Sequence, residues 1–188
     1  MFFGKSVRSE AVQDKAATLL VTQGALVELS LSDARTVVRY MRPRRIPAGA
    51  VFIRQGEGDV DDAMLLILEG EATVEQEGMG ADDSLIVSVI GPGSLLGEMA
   101  ILDGEPRSAT CIAATDLAVA ELPRDGLRKL IKEEPEVSSR LLLAVSKRMS
   151  ERLRETNRKL KSFAQLSRAL QQELDATHSV NRKLLDAE

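Results

Sequence analysis

The chain has 188 residues, of which 44% are hydrophobic, 29% charged and 3% aromatic, with a formal net charge of −4. That length suits one well-cored domain plus an extension; no apolar run approaches the ~20 residues of a membrane span, and the opening Met-Phe-Phe-Gly-Lys-Ser turns polar too soon for a signal peptide. From Val137 onward 11 Lys and Arg face 6 Asp and Glu, about +5, leaving about −9 on the rest, and an acidic body with a basic helical tail is not the footprint of a dedicated nucleic-acid domain.

Residues 9–22 mix Ala, Leu and Val with charges and predict a helix, within an N-terminal helical segment (1–29) of unreadable role. Ser30-Leu31-Ser32-Asp33 marks a second helix, capped by Ser30 with Asp33 in its first turn. Its face carries Ala34, Val37, Val38 and Met41, and it stops before Pro43. Arg42, Arg44 and Arg45 read as a solvated basic edge. From Ile46 to Leu122 short apolar runs recur: Val51–Ile53, Met64–Leu68, Ala72–Val74, Leu85–Ile90, Ala109–Ile112 and Leu117–Leu122. Glycines punctuate them, which argues for an antiparallel sandwich or barrel. Glu75 to Ser84, acidic and Gly-rich, reads as a hairpin tip. The single cysteine, Cys111, excludes an internal disulfide and suits a reducing cytoplasm; its strand-like setting makes it a buried structural thiol. Asp125–Glu134 predicts a short helix capped by Asp125, with Pro135 after its end.

From Glu136 onward there is neither Pro nor Gly, so nothing breaks a helix. One heptad set is Leu142, Met149, Thr156, Phe163, Leu170, Thr177 and Leu184; the other is Ser146, Leu153, Leu160, Ser167, Leu174 and Asn181. Eight of these thirteen positions are apolar, which predicts a coiled coil, with Asn181 favouring a parallel dimer in one register; a single helix lying on a partner is the alternative. His178 flanks the seam and has no second His with which to build a metal site, so no metal is expected.

The densest chemistry lies between Gly97 and Thr110, Gly-Glu-Met-Ala-Ile-Leu-Asp-Gly-Glu-Pro-Arg-Ser-Ala-Thr. Gly97 lets backbone approach a ligand, and a short helical turn starting near Met99 aims N–H groups at an anion. Arg107 offers a planar fork to phosphate and Ser108 one more donor. Glu98 is wrong for a phosphate but right for accepting from a sugar hydroxyl. The plainer alternative is a set of ordinary turns with an Arg–Glu surface pair.

This stretch resembles, position by position, the phosphate-binding cassette of the cyclic nucleotide-binding domains, the family of the bacterial catabolite activators and the protein kinase A regulatory subunits. The resemblance implies an α+β, mainly β fold: an antiparallel β jelly-roll barrel over 30–135 with N-terminal helices and a hinge helix, then a long C-terminal coiled-coil helix over 136–188. It implies that Glu98 binds the ribose 2′-hydroxyl and Arg107 the cyclic phosphate. Gly97, Met99, Ala100, Ser108 and Ala109 complete the cassette. Val74, Val87 and Ser88 would face sugar and base or be plain core. The segment 148–157 is similar to the part of the family's long helix that closes over the base. It places Thr156 and Asn157 there if about one extra helical turn precedes Met149, or Arg152 if not.

Ser108 followed by Ala109 resembles the cyclic AMP-binding bacterial members, although a hydroxyl after the arginine also occurs in the family's cyclic GMP binders, so cyclic AMP is the expected ligand and cyclic GMP the alternative. The family's bacterial regulators carry a helix-turn-helix module after the long helix; the roughly 30 residues after Asn157 hold heptads and no turn residues, so no direct sequence-specific DNA binding is expected. No catalytic constellation of His pair, Cys–His or second Gly-rich loop is present. The expectation is a non-enzymatic, free-standing, cytoplasmic sensor. It would be homodimeric through its C-terminal helix and act on an unknown effector protein. Two rivals remain: a structural dimeriser that binds nothing, and a basic helix docking nucleic acid or acidic membrane through Lys147, Arg148, Arg152, Arg154, Arg158, Lys159 and Lys161.

Overall fold

The computed structural model describes residues 3–23, 25–58, 63–77 and 84–185, without the side chains of 3–9, 77, 84–87, 176, 177 and 179–185. The chain forms two units, Met1–Ser146 and Lys147–Glu188.

In chain order the first unit holds helices α1 (Phe3–Leu20) and α2 (Leu31–Val38), then strands β1 (Arg42–Ile46), β2 (Val51–Ile53), β3 (Ala63–Glu69), β4 (Ala72–Glu77), β5 (Ser84–Ile90) and β6 (Leu95–Leu96). Helix α3 (Glu98–Asp103) interrupts the strands before β7 (Thr110–Ala113), β8 (Leu117–Pro123) and helix α4 (Arg124–Glu133). All pairings are antiparallel, in two four-stranded sheets ordered β1-β8-β3-β6 and β2-β7-β4-β5. This is the antiparallel sandwich the punctuated apolar runs imply, in the jelly-roll-like form the resemblance implies. Its core lies between the sheets and includes Ile46, Ile53, Leu65, Ile67, Val74, Leu96, Cys111 and Val119. β3 is buried from Ala63 to Leu68 because its outer face is covered too: α1 and α3 lie against it. Its unbroken apolar run therefore reflects two dry faces rather than a missing alternation.

The N-terminal segment acquires a role. Ala16, Ala17 and Leu20 of α1 are buried, and Lys15 Nζ reaches Glu69 Oε1 on β3 at 2.6 Å. Helix α2 starts as expected, with Ser30 Oγ accepting from the Asp33 N–H at 3.1 Å. It ends at Val38, ahead of Met41. The N–H groups of Arg39, Tyr40 and Met41 bond three residues back, to Thr36, Val37 and Val38, and this tighter winding closes the helix just before β1. Asp33 does more than sit in a first turn. It is buried and accepts from Arg140 Nε and Nη2, both at 2.9 Å. Those hydrogen bonds, against the opposing effect of burial, hold its carboxyl below the usual range.

One local expectation is extended and two are corrected. The basic cluster is solvated, but it is also a strand: β1 pairs with β8 from Arg42↔Glu121 to Ile46↔Leu117. Asp125 does not cap α4. Pro123 occupies that position without a side-chain bond, and Asp125 instead pairs with Arg42 at 2.9 Å. The hairpin tip is narrower than 75–84, since β4 runs to Glu77 and β5 begins at Ser84; residues 78–83 lie outside the described residues.

Helix α5 (Pro135–Leu185) opens on Pro135, whose missing N–H costs nothing at a first helical position. In the first unit it buries Val137, Leu141, Ala144 and Val145. In the second unit it is the only described element, and Leu153, Leu160, Phe163, Leu170 and Leu174 stand 53–68% exposed along it. No helix among the described residues is long and apolar enough to cross a membrane.

Candidate functional site

The site begins where β6 stops. Leu95 and Leu96 pair with Leu66 and Leu65 of β3, and Gly97 then turns the chain into α3 with φ 72° and ψ 13°, a left-handed conformation that disfavours any residue with a Cβ. Space demands glycine as well. A Cβ there would lie 2.8 Å from the Ala63 carbonyl oxygen and collide with the Arg107 guanidinium. Gly97 and Arg107, ten positions apart, are thus in contact.

Arg107 is held at both ends. Its N–H donates to the Glu57 carbonyl at 2.8 Å, and its own carbonyl accepts from Gly56 at 2.9 Å, so the backbone hangs on the turn after β2. Its Nη1 donates to the Gly97 carbonyl at 3.4 Å and Nη2 to the Ala63 carbonyl at 3.2 Å. The fork therefore stands at the entry to α3. Glu98 occupies the first turn there and is 2% exposed; a carboxylate this far from water persists only with partners. Ala100 and Ile101 are buried beside it, while Met99 faces outward. Ser108 is exposed, its Oγ 4.0 Å from Met99 Sδ. Ala109 packs against the sandwich core. The cassette returns to the sheet at Thr110, whose Oγ1 accepts from the Gln55 N–H at 3.0 Å.

A cavity of about 490 Å³ opens on the far side of Arg107, lined in part by Phe52, Ile53, Ala63, Leu65 and Glu121. Arg44 and Glu121 pair at its rim at 2.7 Å, and Arg54 and Glu57 at 3.4 Å. Arg107 lines it; Gly97, Glu98 and Ser108 do not. A second, small apolar crevice is lined by Ile101 and Leu102 of α3, Leu127 of α4 and Leu141, Leu142 and Val145 of α5. The cassette helix and the hinge therefore line one crevice.

The remaining expected residues lie on β4, β5 and α5 rather than within the cassette itself. Val74 is 5% exposed and belongs to the core. Val74 pairs with Ser88 and Glu75 with Ile86, which leaves Val87 as the extra residue of a β-bulge; its side chain lies outside the described residues. Ser88 is exposed. Thr156 and Asn157 belong to the second unit, exposed on α5, where Thr156 Oγ1 donates back to the Arg152 carbonyl at 3.0 Å. Among the described residues no group of three His, Cys, Asp or Glu is placed to hold a metal. Sequence reasoning missed two contributors, Ala63, which acts through its carbonyl, and Arg124, whose Nη2 donates to the Ala100 carbonyl at 2.7 Å. A backbone acceptor leaves no trace in residue type, and an arginine after a strand is too common to signal one bond.

Comparison with known proteins agrees with this geometry. The family model for the cyclic nucleotide-binding domain matches residues 43–134. A cyclic nucleotide-gated potassium channel of Rhizobium etli is 39% identical over 102 residues, 54% of this chain and 26% of the channel. The chain thus spans about a quarter of that relative's length. The crystal structure of a cyclic nucleotide-binding domain from Methylobacillus flagellatus superposes with a TM-score of 0.67 at 26% identity, covering 78% of this chain and 81% of that one. The regulatory domain of Toxoplasma gondii protein kinase A, crystallised with cAMP, gives 0.55 at 27% identity, covering 64% and 44%. With the cassette glycine, acid and arginine in their motif positions on a jelly-roll-like sandwich, residues 43–134 form a cyclic nucleotide-binding domain.

Proposed function

We propose that the protein is a cyclic nucleotide sensor that prefers cyclic AMP to cyclic GMP and acts on an effector protein. In this reading Glu98 accepts from the ribose 2′-hydroxyl, Arg107 and Ser108 hold the cyclic phosphate, and Gly97, Met99, Ala100 and Ala109 shape the loop around it. Val87 borders the sugar, and Thr156 and Asn157 border the base. One observation carries the reading: the Arg107 fork is folded onto Gly97, next to a Glu98 buried to 2%. A guanidinium bonded to the residue that precedes a buried carboxylate suits a ligand that is anionic at one end and hydroxylated at the other.

Output runs through the hinge. Ile101 and Leu102 meet Leu127, Leu141 and Val145 across the small crevice, so a shift of α3 is felt by α4 and the start of α5. A nucleotide drives that shift only by its differential affinity for the two arrangements. The exposed heptad leucines of the second unit support a homodimer through α5, which would present the altered helix pair to the effector.

Titration calorimetry with cyclic AMP and cyclic GMP tests the binding step. Wild type should bind both, cyclic AMP more tightly, and Arg107→Ala should weaken binding by about 100-fold through loss of charge-assisted hydrogen bonds worth about 3 kcal/mol together. A wild type that binds neither nucleotide overturns the reading in favour of a structural dimeriser.

A further inference from the structure

The two ends of the cassette converge on one point of the sandwich. At the first end, Arg124 Nη2 donates to the Ala100 carbonyl at 2.7 Å. That same carbonyl closes α3 by accepting from the Gly104 N–H at 3.0 Å. The guanidinium lies over Gly104, where a Cβ would sit 3.5 Å from Nη1. At the second end, Arg107 Nη2 donates to the Ala63 carbonyl at 3.2 Å, and Ala63 is the register partner of Pro123. Pro123 immediately precedes Arg124, where β8 becomes α4.

We propose that Arg124 is the positioning residue that makes α4 follow the cassette when nucleotide binds; this rests on the cassette being a cyclic nucleotide site. The two links respond differently to a phosphate. Arg107 bonds its two carbonyls at 3.2 and 3.4 Å, long contacts to neutral acceptors. A phosphate is a charged acceptor and bonds about twice as strongly, so it draws the fork off Ala63 and loosens the Ala63–Pro123 end of the β3–β8 ladder. Arg124 keeps its short bond to Ala100 meanwhile, so the first turn of α4 stays tied to α3 and travels with it. The apolar crevice that Ile101 and Leu102 share with Leu127 offers only non-directional interactions, which allow sliding. The Arg124 bond is directional and fixes the register of that movement.

The test uses the full chain and three proteins: wild type, Arg124→Ala and Arg124→Lys. Calorimetry reads cyclic AMP affinity, and amide hydrogen exchange with and without cyclic AMP reads segments 98–104 and 124–146. In wild type the nucleotide should change exchange in both segments. In Arg124→Ala affinity should stay within about fivefold and segment 98–104 should still respond, while segment 124–146 no longer does. Arg124→Lys, whose ammonium can also donate to Ala100, should restore part of the response. A residue needed only for packing would alter exchange equally with and without nucleotide. If Arg124→Ala lacks a cooperative melt, Arg124→Met, which fills similar space but has no donor, replaces it with the same expectation. An unchanged nucleotide response over 124–146 in the variant overturns this inference alone; absence of nucleotide binding by wild type overturns the sensor reading and this inference with it.

Discussion

Gly97→Ala isolates what the cassette turn requires, provided it is compared with Gly49→Ala. Both glycines are left-handed, at φ 72° and 78°, but a Cβ on Gly49 meets nothing within 4 Å. Left-handed backbone costs an L-residue about 1–2 kcal/mol, and the entropy that alanine removes from the unfolded chain is common to both variants. Gly49→Ala should therefore lose about 1–2 kcal/mol and keep its nucleotide affinity. Gly97→Ala carries the same backbone term and adds a methyl 2.8 Å from the Ala63 carbonyl and against the Arg107 fork, an overpacking cost of about 1–3 kcal/mol. Its total loss should be about 2–5 kcal/mol. The displaced fork should also forfeit charged hydrogen bonds of about 1.5–3 kcal/mol, weakening cyclic AMP binding roughly 10- to 150-fold. Urea unfolding gives the first quantity and calorimetry the second. Equal destabilisation of the two variants, with affinity intact in Gly97→Ala, refutes the argument.

In an ordinary helix Gly126→Ala would stabilise by up to about 1 kcal/mol. Here a Cβ would lie 2.8 Å from the Tyr40 carbonyl oxygen and 3.2 Å from Pro123 Cδ, so the variant should lose about 1–2 kcal/mol net in urea unfolding, and a gain would refute the close approach. Asp33 is held below its ordinary value of 3.8 chiefly by hydrogen bonds from Arg140. Its contribution to stability is therefore present above that value and is lost as pH falls through the lowered folded-state value. Wild type and Asp33→Asn should melt apart at neutral pH and converge in acid; a gap independent of pH counts against the pair. Replacing both Leu160 and Phe163 by Glu removes two of the most exposed apolar residues of the second unit, 60% and 68% exposed. By sedimentation equilibrium wild type should be a dimer and the variant a monomer, and a monomeric wild type refutes the seam.

The strands readable in the chain were those with apolar runs between glycines, such as Val51–Ile53, which matches β2 residue for residue. β1 was not readable because Arg-Pro-Arg-Arg-Ile has no alternation. It is a strand because β8 offers it a ladder, and because Glu121 and Asp125 pair two of its arginines. Asp33 is the first-turn acid the sequence indicates, but its pairing was not legible for a similar reason: its partner Arg140 is 107 residues away. The cassette was legible as a motif, since Gly97 and Arg107 are required by contacts within fourteen consecutive residues. Its anchorage was not, because Ala63, Gly56 and Glu57 contribute backbone atoms whose chemistry every residue shares.

Among the described residues β1 ends its sheet, with β8 as its single neighbour, and Pro43 stands inside it between arginines. Proline is tolerated in such a ladder where its nitrogen turns away from the paired strand, so the outward margin lacks a donor in mid-strand. A foreign segment trying to lengthen the sheet would meet a gap in its hydrogen bonding and a row of guanidinium groups. At concentrations where many β-rich proteins begin to stick edge to edge, this margin should stay unrecruited.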